Sequence, residues 1–161
     1  MIRKLVFTTT LLASLPALAQ DLPTAPYLPV EMAAKAADAA LKACASQGHN
    51  VTAAVAGRDG AIKVLLKADN AGPHTVSSAS GKAFTAASLG RGTADLAEFI
   101  ATKPAAAGLR DMDSRMVVLA GGLPVRFGKA LVAGIGVGGA PSGDIDAGCA
   151  AAGLAAIGAA Q

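Results

Sequence analysis

Apolar residues recur at intervals of three and four between residues 30 and 47, where alanine predominates. Alanine has the highest helix propensity, so this spacing predicts a first helix, which Gly48 ends. Two short apolar runs follow, VTAAVAG at 51–57 and AIKVLLK at 61–67, and an Arg-Asp-Gly sequence joins them. A turn of this kind between two strand-like runs predicts an antiparallel hairpin.

Two more helices are predicted after the hairpin. The first covers about residues 75–89 and ends at Gly90. The second begins at Thr93, whose hydroxyl suits an N-cap, and Pro104 closes it.

The remaining pattern predicts three strands and a last helix. Residues 115–127, RMVVLAGGLPVRF, are interpreted as two short strands separated by a Gly-Gly break, and residues 130–140 as a glycine-rich strand. Ser142 or Asp144 can cap the final helix. The order α-β-β-α-α-β-β-β-α, with hairpins that require antiparallel pairing, predicts an α+β domain whose helices pack on one sheet.

Residues 1–19 have the pattern of a secretory signal peptide. Two basic residues precede an apolar run that ends at Leu15, and the sequence Ala-Leu-Ala at 17–19 fits the small-x-small cleavage rule. The run is shorter than the roughly 20 residues of a membrane span, which favours a cleaved signal over an uncleaved anchor. We expect an extended leader at 20–29, one domain at 30–161, no membrane span after signal removal, and a periplasmic or secreted protein.

The charge of the chain gives little reason to expect a nucleic-acid partner. The formal net charge is +3, and removal of the signal would take away two positive charges. The remaining sequence has no basic stripe with interleaved aromatic residues, which argues against nucleic-acid binding.

Two cysteines, Cys44 and Cys149, lie near opposite ends of the predicted domain. An even pair in an exported protein suggests a disulfide, but two small buried thiols would also fit. A disulfide requires Cα atoms about 4.4–6.8 Å apart. The sequence does not give this distance, so it leaves both possibilities open. There is no CxxCH sequence, which excludes covalent attachment of a c-type haem.

Other motifs carry little functional information. The glycines at 134–139 match GxGxxG, but the chain ends before the second strand and acidic residue of a dinucleotide site. No GxSxG sequence, Walker loop or zinc-ligand spacing is present. His49 follows the first helix and is interpreted as an exposed turn residue.

The other histidine, His74, lies at the start of the second predicted helix. At helical spacing it shares one stripe with Ser78, Gly81 or Lys82, and Thr85. The imidazole could be a ligand-binding group, with Gly81 clearing space for something flat or for another backbone and the helix N-terminus favouring carboxylates. Alternatively, His74 faces solvent and Gly81 packs against another helix. The residues alone favour this second interpretation.

Five blocks of sequence, in order, extend over about residues 30–158. They are AAL..C...G (39–48), V..AVAGRDGAIKVLLK.D.AG (51–72), GKAFTAASLGRGT (81–93), GGLPV (121–125) and VAGIGVGGAPSGDIDAGCAAAGL (132–154). In order and spacing they resemble the GlcG/HbpS-like haem-binding domains, which also occur at the C-terminus of some PduO-type proteins. The last block is the most specific.

The resemblance implies a compact α+β subunit that forms homo-oligomers and binds haem b without a covalent bond. It makes His74, in a GPHT sequence, the iron ligand, and it makes Lys82, Thr85 and Arg91 candidates for contacts with the haem propionates. The chain departs from the family pattern at Lys67, where arginine is common, and before the RDG turn, where many members have an aspartate. Aromatic residues are few, which favours a site shared between subunits and walled by aliphatic side chains.

The function expected from this resemblance is that of an exported protein that senses, scavenges or carries haem, with another exported protein as a possible partner. One alternative is a cofactor-free oligomeric accessory domain, suggested by the many small residues. The other is a haem-degrading enzyme, which ranks last because no acid–base pair of suitable spacing is visible. No catalytic residue is assigned.

Overall fold

The computed structural model describes residues 23–161, so the predicted signal peptide lies outside the described residues. Residues 23–29, within the predicted leader, form no helix or strand. The elements that follow are α1 (Val30–Ala45), β1 (Thr52–Gly57), β2 (Ile62–Lys67), α2 (His74–Leu89), α3 (Thr93–Thr102), a 3₁₀ helix (Pro104–Asp111), β3 (Gly122–Phe127), β4 (Ala130–Gly138) and α4 (Gly143–Ala156).

The four strands form one antiparallel sheet in the order β2-β1-β4-β3. Helices cover both of its faces, and the predicted α+β class is confirmed. On one face, α1 and α4 pack over apolar side chains such as Val55, Ile135 and Val137. On the other face, α2 packs over Ala54 and Ala56.

The glycines of β4 explain how closely α2 approaches the sheet. A Cβ atom at Gly134 would lie within 2.5 Å of the backbone nitrogen of Ala87, and one at Gly136 would meet the backbone of Ala79 and Ala83. The GxGxxG match is therefore a packing feature, since it allows helix and strand backbones to touch.

The structure differs from the prediction in residues 115–120, which form no strand. The Val117 amide N–H donates to the hydroxyl of Thr85 in α2 at 2.9 Å. The apolar pattern of this segment therefore reflects packing on a helix and not pairing with a neighbouring strand. The order of the remaining helices and strands agrees with the prediction.

Cys44 in α1 and Cys149 in α4 form a disulfide, with Cα atoms 5.5 Å apart. Both residues are fully buried, and the bond joins the two helices that cover one face of the sheet. Of the two possibilities left open by the sequence, the structure has the disulfide.

Across residues 23–161, no helix combines the length and apolar character that a membrane span requires.

His49 lies in the turn after α1 and is half-buried, whereas the sequence suggested an exposed residue.

Candidate functional site

His74 is the first residue of α2, and its side chain is exposed to solvent. The imidazole lies against the backbone of Gly72: a Cβ atom there would be 2.7 Å from Cε1 and 2.9 Å from Nδ1 of His74. Any side chain at position 72 would therefore displace the ring. Gly72 thus has a local role that the sequence analysis did not identify.

The imidazole stands at the edge of an open cavity of about 370 Å³. One wall is α2, the second is the segment just before β3, and the third is the turn from β4 into α4. The residues that line it are His74, Ser78, Lys82, Leu119, Ala120, Gly139, Ala140, Pro141, Ser142, Gly143, Asp144 and Asp146.

The floor of this cavity holds a buried ion pair between Lys82 of α2 and Asp146 of α4. The Lys82 Nζ lies 2.8 Å from Oδ2 of Asp146, and their side chains are 4% and 5% exposed. The ammonium also donates to the carbonyl oxygen of Val137 at 2.9 Å, and the Ala140 N–H donates to Oδ1 of Asp146 at 3.1 Å. The pair thus ties α2 to the end of β4 and to the start of α4.

Asp146 lines this cavity and is the partner of Lys82, a role that the sequence did not predict. The two residues are 64 positions apart. Helical periodicity relates only residues a few positions apart, so no local pattern could have paired them.

Thr85 does not line the cavity, although it lies one helical turn beyond Lys82 in α2. Its side chain is fully buried, and its hydroxyl donates to the carbonyl oxygen of Gly81 at 2.8 Å and accepts from the Val117 N–H at 2.9 Å. The hydroxyl is therefore occupied in holding the segment around Val117 against the helix.

Arg91 lies beyond the opposite end of α2 from His74. With a rise of 1.5 Å per residue, α2 places its last residue, Leu89, roughly 22 Å from His74, and Arg91 follows two residues later. The exposed Arg91 guanidinium stands over the ring of Phe99, 5.0 Å from its centroid. Of the four predicted site residues, the structure thus brings together His74 and Lys82 and places Thr85 and Arg91 elsewhere.

Gly81 has a different neighbour from the one suggested by the sequence. A Cβ atom at Gly81 would overlap the side chain of Val117 and lie 2.7 Å from the carbonyl oxygen of Arg115. The space beside Gly81 is therefore filled by the protein's own segment before β3, which leaves no room at that point for a flat ligand or for another helix.

Comparison with known families gives one match that spans most of the chain. The family model described as "Haem degrading protein HbpS-like" matches residues 28–155. The chain belongs to the HbpS-like family. This confirms the resemblance seen in the sequence blocks, and membership of the HbpS-like family gives the chain a haem-related function.

Solved structures agree with this family assignment. A doubly substituted form of HbpS from Streptomyces reticuli is 44% identical, with a TM-score of 0.80 and coverage of 89% of this chain and 97% of HbpS. Protein ORFY from Klebsiella pneumoniae is 25% identical, with a TM-score of 0.77 and coverage of 92% and 100%. A complex of PduOC with haem shares the fold at 23% identity, with a TM-score of 0.76 and coverage of 84% and 98%. None of the curated proteins matches this HbpS-like chain significantly.

Proposed function

We propose that this protein binds haem b non-covalently and that the imidazole of His74 holds the iron. The observation that carries the proposal is the position of His74, an exposed imidazole at the edge of an open cavity in a member of the HbpS-like family. A neutral imidazole nitrogen is a common iron ligand, and the bound haem would supply the redox and ligand-binding chemistry of its iron.

The residues around His74 fit a haem ligand in one specific respect. Gly72 leaves the space that the imidazole occupies, so the ring rests on backbone while its outer edge stays open to solvent. A ring supported in this way loses little further freedom when it binds iron, which favours binding.

The size of the cavity supports a site completed by a second copy of the chain. Its volume of about 370 Å³ is near the lower limit of the ~300–1,000 Å³ that small-molecule sites usually have. A porphyrin bound at His74 would therefore extend beyond one subunit. Part of its surface would be left for a neighbouring subunit to cover, in agreement with the expected homo-oligomer.

Lys82 contributes to this site as a structural cation under the cavity. Its ammonium is neutralised by Asp146, and the exposed Asp144 adds a negative charge at the cavity wall. Carboxylates repel one another at short range, so we expect the haem propionates to point away from Asp144 and towards solvent.

The proposed location is the periplasm or the extracellular space, and an exported protein is a possible partner. Two observations support export: the signal-like pattern of residues 1–19 and the disulfide between Cys44 and Cys149. Disulfides persist mainly in oxidising compartments. A haem protein in such a compartment could sense, scavenge or carry haem.

The direct test is titration of hemin into residues 20–161 while the Soret absorbance is followed. Replacement of His74 by alanine should weaken binding at least about tenfold and shift the Soret maximum, because the iron loses its protein ligand. His49→Ala is the matched control and should bind as the wild type does. Equal affinities and spectra for wild type and His74→Ala would contradict the assignment, and no spectral change with any variant would favour a cofactor-free accessory domain.

A second candidate is haem degradation, which the description of the matching family favours. It is tested by adding ascorbate and oxygen to the hemin-loaded protein and measuring Soret loss together with the release of iron. Binding without turnover supports a sensor or carrier. Catalytic loss of the Soret band, with wild-type rates well above those of free hemin, would establish an enzyme.

A further inference from the structure

A second cavity, of about 380 Å³, lies on another side of α2 from the His74 cavity. Its walls come from three separate parts of the chain: α2, the turn into β2, and the segment before β3. The two cavities share no lining residue. Ligand binding in this second cavity therefore does not require haem.

Two glycine contacts hold the walls of this cavity in place. Gly60 has a positive φ of 78°, and a Cβ atom there would lie 2.8 Å from the ring of Phe84. The absence of a side chain at Gly81 lets the segment containing Arg115 touch the helix backbone. The helix α2 is thus packed closely against both of the other walls, as expected of a site formed before its ligand arrives.

The lining of the cavity is mostly apolar. Val76 and Phe84 of α2, Val117 of the segment before β3 and Ile62 of β2 contribute its apolar surface. Three serines also line it, Ser77, Ser80 and Ser114. The side chain of Ile62 is 42% exposed at the surface of the fold. An apolar body of modest size could cover this surface and remove it from water, which is favourable.

Arg115 is the charged residue of this cavity; its side chain is 59% exposed, and two interactions orient it. Its Nε and Nη2 donate to Asp113 at 3.0 and 2.7 Å, and its guanidinium carbon lies 3.9 Å from the centroid of Phe84. The ion pair uses one edge of the guanidinium. The Nη1 group is directed towards Gly60 and lies 3.5 Å from the position that a Cβ atom at Gly60 would occupy. Asp113 uses neither of the two N–H groups of Nη1.

We propose that this cavity binds a small apolar monocarboxylic acid. The carboxylate accepts hydrogen bonds from Nη1 of Arg115, and the apolar body contacts Val76, Val117 and the edge of Phe84. A guanidinium whose Nη1 edge is not used by Asp113 can donate charge-assisted hydrogen bonds to a carboxylate.

The test uses 2-naphthoate as the probe and 2-naphthylmethanol as its neutral analogue. Each is titrated into ¹⁵N-labelled residues 20–161, and backbone amide shifts are followed by NMR. Naphthoate should produce saturable shifts centred on Gly60, Ser80 and Val117, and it should bind at least about fivefold more tightly than the alcohol, because a charge-assisted hydrogen bond is added.

Two variants separate the contributions of charge and shape. Arg115→Gln should remove the preference for the acid over the alcohol, whereas Arg110→Gln, on the exposed 3₁₀ helix, should retain it. Ser80→Phe should fill the cavity and weaken both probes, and circular dichroism would confirm that the variant is folded. Equal affinities for acid and alcohol, shifts centred on residues of the His74 cavity, or an unchanged preference in Arg115→Gln would each overturn the proposal.

Discussion

Loss of the Lys82 ammonium should leave the negative charge of Asp146 buried without its partner. The two side chains are 4% and 5% exposed and meet at 2.8 Å, and the Ala140 N–H at 3.1 Å is the remaining donor to the carboxylate. Breaking a buried pair by removing one partner usually costs about 3–5 kcal/mol. Lys82→Met should therefore lower the free energy of unfolding by about this amount, a large part of the ~5–15 kcal/mol of a typical domain.

Removing both charges should cost much less than removing only the lysine. In the double variant Lys82→Met with Asp146→Asn, the asparagine oxygen can still accept from the Ala140 N–H, and no unpaired charge remains. The double variant should therefore be more stable than Lys82→Met alone, with a coupling energy of about 1–3 kcal/mol.

The assay is urea unfolding followed by circular dichroism, with linear extrapolation to water. The matched control is the pair of Lys42 and Asp38, which has a similar distance of 2.7 Å but side chains 74% and 48% exposed. Exposed pairs contribute about 0–1 kcal/mol, so Lys42→Met should have little effect. If Lys82→Met and Lys42→Met had the same small cost, the Lys82–Asp146 pair would not be desolvated as the structure indicates.

Three further predictions concern other parts of the fold. Replacing Cys44 and Cys149 by alanine should lower the free energy of unfolding by about 2–5 kcal/mol, because the disulfide closes a loop across 105 positions. An unchanged urea midpoint would contradict this prediction. Two free thiols found by mass spectrometry of the unreduced protein would also contradict it. Gly81→Ala should destabilise the protein by about 1–3 kcal/mol despite the better helix propensity of alanine, because the added Cβ would lie 2.7 Å from the Arg115 carbonyl oxygen. A raised melting temperature of the variant would refute this prediction. Hydrogen bonds from Arg115 lower the pKa of Asp113 from 3.8 to about 2. The pair should therefore contribute stability above about pH 4 and lose it as the pH falls towards 2, and a carboxyl titration by NMR with a midpoint near 3.8 would contradict this.

The elements whose patterns are local could be predicted from the sequence. The RDG turn between two apolar runs indicated the hairpin of β1 and β2, and the repeated alanines indicated α1. Residues 130–140 were interpreted as a glycine-rich strand, which contains β4 (Ala130–Gly138). Each of these inferences depends on residues within about one element.

Residues 115–120 show why the third predicted strand was wrong. Their apolar pattern records burial, but it does not say whether the burying partner is a strand or a helix. The contact that decides the matter joins Val117 to Thr85, 32 positions away.

The site residues could be predicted only in part, and for the same reason. The family resemblance indicated His74 and Lys82, which line one cavity, but the partner of Lys82 comes from a helix near the other end of the chain. Helical spacing placed Thr85 on the same stripe as His74, yet the segment before β3 covers it. Periodicity gives the face of a helix and does not identify what packs on that face.

The claim that His74 holds the haem iron is tested most directly by replacing the side chain and returning its chemistry from solution. In His74→Gly, the account predicts that hemin binding is weakened and the Soret band altered, and that added imidazole restores the wild-type spectrum by occupying the vacated position. His49→Gly should bind hemin as the wild type does, with or without imidazole. A His74→Gly protein that binds hemin with wild-type affinity and a wild-type spectrum in the absence of imidazole would contradict the assignment of the ligand.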